Sequence, residues 1–400
     1  MERESMDDDF PMELDEENGF SLVEKPLETE PTELNFKEGP LSAEFRKKAN
    51  EILEYLSKNE VKVEKLREYA LSKGGFVCDD VRKIGWSRLL EIDPNPDNLS
   101  PNDDSLRSHS EFTQVELDVN RSLKRFPPGI PYEQRVALQD QLTDLILKVI
   151  TKYPHLKYYQ GYHDVAITFL LVVGEEMAFR IMERLSTEHL KDFMEPTMEK
   201  TQHLLNYIYP LMDRLNPKVC SHVQKSGAGT MFCLPWFLTW FGHSLNHYKD
   251  VVRLYDFFLA SPPMMSLYLA AAIVVYREKD LLAQDCDMAS IHCFLSQLPD
   301  DLPFEILIRN AVNLYNEFPP EEVEVEVLER AKKELEERKA EEEARHKRLA
   351  KHRGHIFPRR FEAYFQRLLP NSRAQFVLLA VTVAMGIFAY LKGDVNPHVR

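Results

Sequence analysis

Residues 114–129 read QVELDVNRSLKRFPPG. Val115, Val119 and Leu123 recur every fourth residue, and Asp118, Arg121 and Arg125 at spacings of three and four. A helix over 111–126 would therefore turn an apolar stripe to a core and set the three charged residues on a shared face. Pro127 and Pro128 would end it, because proline lacks the N–H of the helical ladder. An arginine held by a carboxylate on a rigid helix is preorganised.

The same periodicity extends outward. Leu41, Phe45, Ala49, Ile52, Leu53 and Leu56 predict an amphipathic helix, and a second short one stops at Gly74 and Gly75. Further helices are expected near 79–91, 132–152, 164–182, 199–213, 248–260, 264–276 and 305–317. No stretch alternates with period two, so the fold class is all-α. Trp236 and Trp240, four apart, read as core.

Four hundred residues with 44% hydrophobic content suffice for a large core. A formal charge of −15 lacks the basic excess that non-specific nucleic-acid binding needs, leaving proteins or a membrane as partners. The five cysteines show no C-x-x-C pair, so neither a disulfide framework nor a metal site is expected, and the chain reads as cytosolic. Residues 1–40 carry fourteen acidic and three basic side chains, the composition of a disordered acidic tail.

Two stretches raise the membrane question. Residues 257–276 are uncharged, but Pro262 and Pro263 divide them, which favours two buried helices. AQFVLLAVTVAMGIFAYL at 374–391 has neither charge nor proline and would span about 27 Å as a helix. It reads as a single C-terminal transmembrane anchor. Residues 345–373 carry nine Lys/Arg against one acidic residue, Glu362, which places the preceding chain on the cytosolic side. The expected organisation is a helical domain over 41–320, a charged helical spacer over 321–353, a basic juxtamembrane segment over 354–373, the anchor, and a short lumenal tip at 392–400. The spacer's Glu329–Lys333 and Glu334–Arg338 pairs support a solvated helix.

YYQGYHD at 158–164 sets Gln160 where a loop enters a helix. A glutamine amide does not titrate near neutral pH, but it can hold a water by donating and accepting together. Phosphoanhydride hydrolysis needs such positioning together with a cation, and Arg121 is a candidate for the second part.

These residues resemble a known family. VELDVNR is similar to the I-x-x-D-x-x-R motif, and YQG matches the second motif, of TBC-domain GTPase-activating proteins acting on Rab GTPases. Arg82 and Trp86 in VRKIGW resemble its R-x-x-x-W, and RLYDFFLA at 253–260, with Arg253 and Asp256, its R-L-x-D-x-F-L; the resemblance covers about 75–316. Val115 in place of isoleucine and Ser122 in place of threonine are small departures. The resemblance implies the TBC helical fold, an arginine finger at Arg121 and a glutamine finger at Gln160, both supplied in trans to a GTP-bound Rab. Asp118, Tyr159, Gly161 and Asp164 would support the fingers, Gly161 by leaving room for the Rab backbone; Arg82, Trp86, Arg253 and Asp256 would be structural. The chain has no nucleotide loop of the G-x-x-x-x-G-K-[ST] type, so GTP and Mg²⁺ would come with the Rab, with no cofactor of its own. A tail-anchored member of this family would face the cytosol from the endoplasmic reticulum membrane and regulate traffic to the Golgi. The alternatives are a catalytically weak Rab-binding scaffold and an anchored adaptor without a GTPase partner.

Overall fold

The computed structural model describes residues 41–58, 60–92, 106–121 and 131–356, and every regular element among them is helical. The expected acidic tail, the FPPG segment with Leu123 and Arg125, and the juxtamembrane segment, anchor and tip lie outside the described residues. No described helix is long and apolar enough to cross a membrane.

In chain order the helices are α1 (Ala43–Leu56), α2 (Val63–Leu71), α3 (Asp79–Leu89), α4 (Phe112–Arg121), α5 (Tyr132–Lys152), α6 (Tyr162–Val173), α7 (Glu175–Thr187), α8 (Glu199–Leu205), α9 (Ile208–Leu215), α10 (Pro217–Ser226), α11 (Leu234–Leu238), α12 (Tyr248–Leu259), α13 (Met265–Tyr276), α14 (Glu278–Leu281), α15 (Met288–Ser296), α16 (Phe304–Glu317) and α17 (Pro320–Ile356). Two expected helices are each divided. The segment 164–182 breaks at Gly174, whose φ of +78° and ψ of 171° leave helical geometry and separate α6 from α7. The segment 199–213 breaks after α8, where Asn206 and Tyr207 donate to His203 and Leu204 in tight turns. Helices α10, α11, α14 and α15 lie outside the expected ranges, and α10 and α15 begin on strong caps. Asn216 accepts from the amides of Lys218 and Val219 ahead of Pro217, and Asp287 accepts from those of Ala289 and Ser290.

One continuous core joins these helices. In the first half α6 packs against α3, α5 and α7, and α5 also carries α4. In the second half α13, buried along its length from Met265 to Val274, is the central helix and packs against α9, α11 and α16. The prolines at 262 and 263 do divide the uncharged stretch into two buried helices, α12 and α13, and Trp236 and Trp240 are core residues.

A buried carboxylate ties the chain's beginning to its middle. Asp256 of α12, fully buried, accepts from Arg82 Nε at 3.1 Å and Nη2 at 3.1 Å, from Trp86 Nε1 at 2.8 Å and from the Phe76 amide at 3.0 Å. A Cβ at Gly75, whose φ is +54°, would collide with this carboxylate. One turn earlier, Arg253 donates to Glu305 at 2.7 Å and to the Ala70 and Ser72 carbonyls, which joins α12 to α2 and α16.

The charged helix α17 is more than a spacer. Its Val323 and Val327 are fully buried, His203 and Tyr207 bond Glu324, and Arg214 pairs with Glu326 at 2.9 Å. The packed domain therefore runs past residue 320. Beyond these turns Leu328 and Leu335 are exposed.

Two stability effects follow. Asp256→Ala removes the counter-charge of a buried arginine and is expected to lower unfolding free energy by about 3–5 kcal/mol, measured by urea denaturation. Val327→Asp should undock the first turns of α17, so that amide hydrogen exchange over 323–330 rises about tenfold or more.

Candidate functional site

Arg121 is the last described residue of α4, and its position there follows from the helix's sidedness. Val115 and Val119 are buried, Asp118 is 1% exposed, and the Arg121 side chain is 65% exposed. Arg121 Nη2 donates to Asp118 Oδ1 and Nε to the Leu117 carbonyl at 3.2 Å. The pair is thus not a surface ion pair on both sides: the carboxylate is buried and the guanidinium is not. Gln114 Nε2 and the Tyr158 hydroxyl each donate to Asp118 Oδ2 at 3.1 Å, so the carboxylate keeps two donors if the arginine leaves.

Gln160 is exposed in the turn that enters α6. Its loop is fixed on both sides. Tyr159 is buried against Tyr162 and Phe193 and donates to the Leu238 carbonyl at 3.0 Å. Gly161 has φ +109°, and a Cβ there would stand 2.8 Å from Thr239 Cγ2. The glycine is therefore demanded by the chain's own packing and backbone conformation, a reason that stands beside the partner approach expected above.

Tyr158 joins the two halves of the site. It lies two residues before Gln160, bonds Asp118 three residues before Arg121, and also meets His163 Nδ1 at 3.0 Å. Burial first, and the neighbouring Asp118 charge second, push its hydroxyl far above the usual tyrosine range, so it remains a proton donor across the working pH range. Asp164, 3% exposed, has Oδ2 3.6 Å from His163 Nε2 and 2.9 Å from His243 Nδ1.

Arg121 and Gln160 line one cleft of about 430 Å³. Asp118, Tyr159, Gly161 and Asp164 line it as well, together with Met198, Leu234, Pro235, Leu238, Thr239 and His243. Arg82, Trp86, Arg253 and Asp256 are not part of this cleft; they form the buried network of α3 and α12. Among the described residues no group of His, Cys, Asp and Glu is arranged to hold a metal ion.

Tyr158, His163, Thr239 and His243 escaped the reading of the sequence. The first two stand inside YYQGYHD, and the short Tyr-to-Gln spacing was an available signal. Nothing local marks Thr239 and His243, which arrive through a turn with Trp240 and Phe241 in the left-handed region, at φ +48° and +64°.

Comparison with known proteins identifies the family. Residues 79–282 match the Rab-GTPase-TBC domain family. The chain is 49% identical over 299 residues to TBC1 domain family member 20 of Homo sapiens, covering 73% of this chain and 74% of that protein. It is 32% identical over 265 residues to the GTPase-activating protein gyp10 of Schizosaccharomyces pombe, covering 63% of this chain and 70% of that one. The fold is similar to the crystal structure of the Ypt/Rab-GAP domain of Gyp1p, with a TM-score of 0.55 at 16% identity, over 67% of this chain and 98% of that one. With its helical fold and matched motifs, this chain belongs to the Rab-GTPase-TBC domain family.

Proposed function

We propose that this protein stimulates GTP hydrolysis by a Rab GTPase, with Arg121 and Gln160 supplied in trans. The observation that carries the reading is their joint placement: an exposed guanidinium and an exposed carboxamide on one cleft, with their supports hydrogen-bonded through Tyr158 and Asp118. Phosphoryl transfer asks for positioning and charge stabilisation more than for covalent chemistry. Arg121 would leave Asp118 and stabilise the charge on the transferred phosphoryl group. Gln160 would orient the attacking water by donating and accepting at once. GTP and Mg²⁺ belong to the partner.

The setting is also proposed. Residues 374–391 would anchor the chain in the endoplasmic reticulum membrane with the cleft in the cytosol, where hydrolysis by the partner would limit traffic toward the Golgi. The uncharged run and the basic segment before it support this reading.

Single-turnover GTP hydrolysis by a panel of purified Rabs, with the full chain in detergent, tests the function. Wild type should accelerate one or a few Rabs. Arg121→Ala should remove about 10³-fold or more of the rate, a barrier change of about 4 kcal/mol, and Gln160→Ala about 10²-fold. Binding without acceleration would identify a scaffold instead. Tyr158→Phe deletes the hydroxyl between the two fingers and should lower the maximal rate about tenfold while leaving Rab binding unchanged, as measured by titration of the activator.

A further inference from the structure

We infer that His243 is a third contact from this chain to the partner GTPase, with its Nε2 hydrogen-bonded to a polar group of the partner. The inference rests on the Rab-activating reading above.

His243 is an unusually well fixed surface residue. Asp164 is a buried carboxylate and can only accept, so the 2.9 Å contact assigns the proton to His243 Nδ1. Nε2 is then the ring nitrogen left for an outside partner. The backbone is held too, since the His243 amide donates to Thr239 Oγ1 at 3.1 Å. Just before it, Trp240 and Phe241 hold positive φ values that bulky residues rarely adopt. That conformation is locked by burial: Trp240 packs on Tyr255 and Phe258, and Phe241 stacks on Trp236 and Phe258. Gly242 beside them packs closely: a Cβ there would stand 3.0 Å from the Thr239 carbonyl and press on it.

What this apparatus presents is a ring that is 52% exposed. His243 lines the cleft with Arg121 and Gln160, and also the adjoining groove formed by Met231, Pro235 and His292. Its Nε2 has no hydrogen-bond partner among the described residues, and it is not among the buried unpaired atoms. A buried carboxylate and two left-handed aromatics are more than the packing of a surface histidine requires. Their effect is to hold one polar ring nitrogen on the cleft that a partner receiving Arg121 and Gln160 must also meet.

The conservative variants separate an outward contact from an inward one. Asparagine keeps an amide N–H near the position of Nδ1 and loses Nε2; glutamine reaches the position of Nε2. Full-length wild type, His243→Asn, His243→Gln and Arg121→Ala are titrated in single-turnover hydrolysis against the Rab panel, with melting temperature recorded for each. For a Rab that wild type accelerates, His243→Asn should raise the half-maximal activator concentration about tenfold with little change in maximal rate or melting temperature. His243→Gln should recover part of that loss. A half-maximal concentration for His243→Asn equal to wild type overturns the contact and leaves His243 only as a support of Asp164. If wild type and Arg121→Ala both accelerate no Rab, the activator reading fails, and the role of His243 fails with it.

Discussion

The buried carboxylate of Asp256 is the interaction from which the rest of the architecture follows. Its donors come from the turn after α2 and from two turns of α3, so a single side chain closes a loop of chain some 170–180 residues long. A charge with no exposure is tolerated only when its lone pairs are filled and its counter-charge is near, and Arg82 with Trp86 meet both conditions. The consequence reaches the cleft directly. Trp86 packs on Phe169 of α6 at 5.2 Å between ring centres, and α6 carries Asp164 in its first turn. Tyr255, beside Asp256, points its hydroxyl at the carbonyls of Asp164 and Thr239 at 3.4 and 3.5 Å.

Upon that base the cleft divides its labour by burial. The carboxylates, Asp118 and Asp164, lie inside, where fixed donors surround them; the groups able to touch another molecule, Arg121, Gln160 and His243, have their tips in solvent. A long side chain gives up rotamer freedom when it engages a partner, and holding its base in place reduces what remains to be lost. Gln114 and Tyr158 matter for the same reason: Asp118 remains hydrogen-bonded whichever way Arg121 points.

Much of this was legible before any coordinates. The class of fold followed from period, and the uncharged run at 257–276 was correctly divided at Pro262, because proline acts locally. The faces of α4 were also readable, since Val115 and Val119 face inward and Arg121 outward. What escaped has a common cause. The breaks at Gly174 and after Leu205 lie within apolar-periodic stretches, where a change of direction leaves the pattern of hydrophobic residues intact. The packing demand on Gly161 is not readable locally, because its neighbour Thr239 is distant in sequence. His243 was invisible for the same reason: its partner is 79 positions away. Capping, by contrast, is written locally in Asn216-Pro217 and in Asp287.

Helix α17 has a mechanical meaning that its composition conceals. Its opening turns are keyed into α9 by two buried valines and a set of ion pairs, and the remaining turns continue the same axis away from that seat. Arg330 still lies over the Tyr209 ring, and from there to Ile356 the free portion is roughly 39 Å at 1.5 Å per residue. Such an element behaves as a boom bolted to the body and not as a tether. If the far end is held, the cleft sweeps a thin shell at nearly constant radius with a nearly constant attitude, and the volume in which it can meet a partner contracts accordingly. A flexible chain of equal length would fill a sphere and present the cleft at every angle. With the far end held, the geometry of encounter would be set by the first three turns of a helix whose sequence reads as little more than alternating charge.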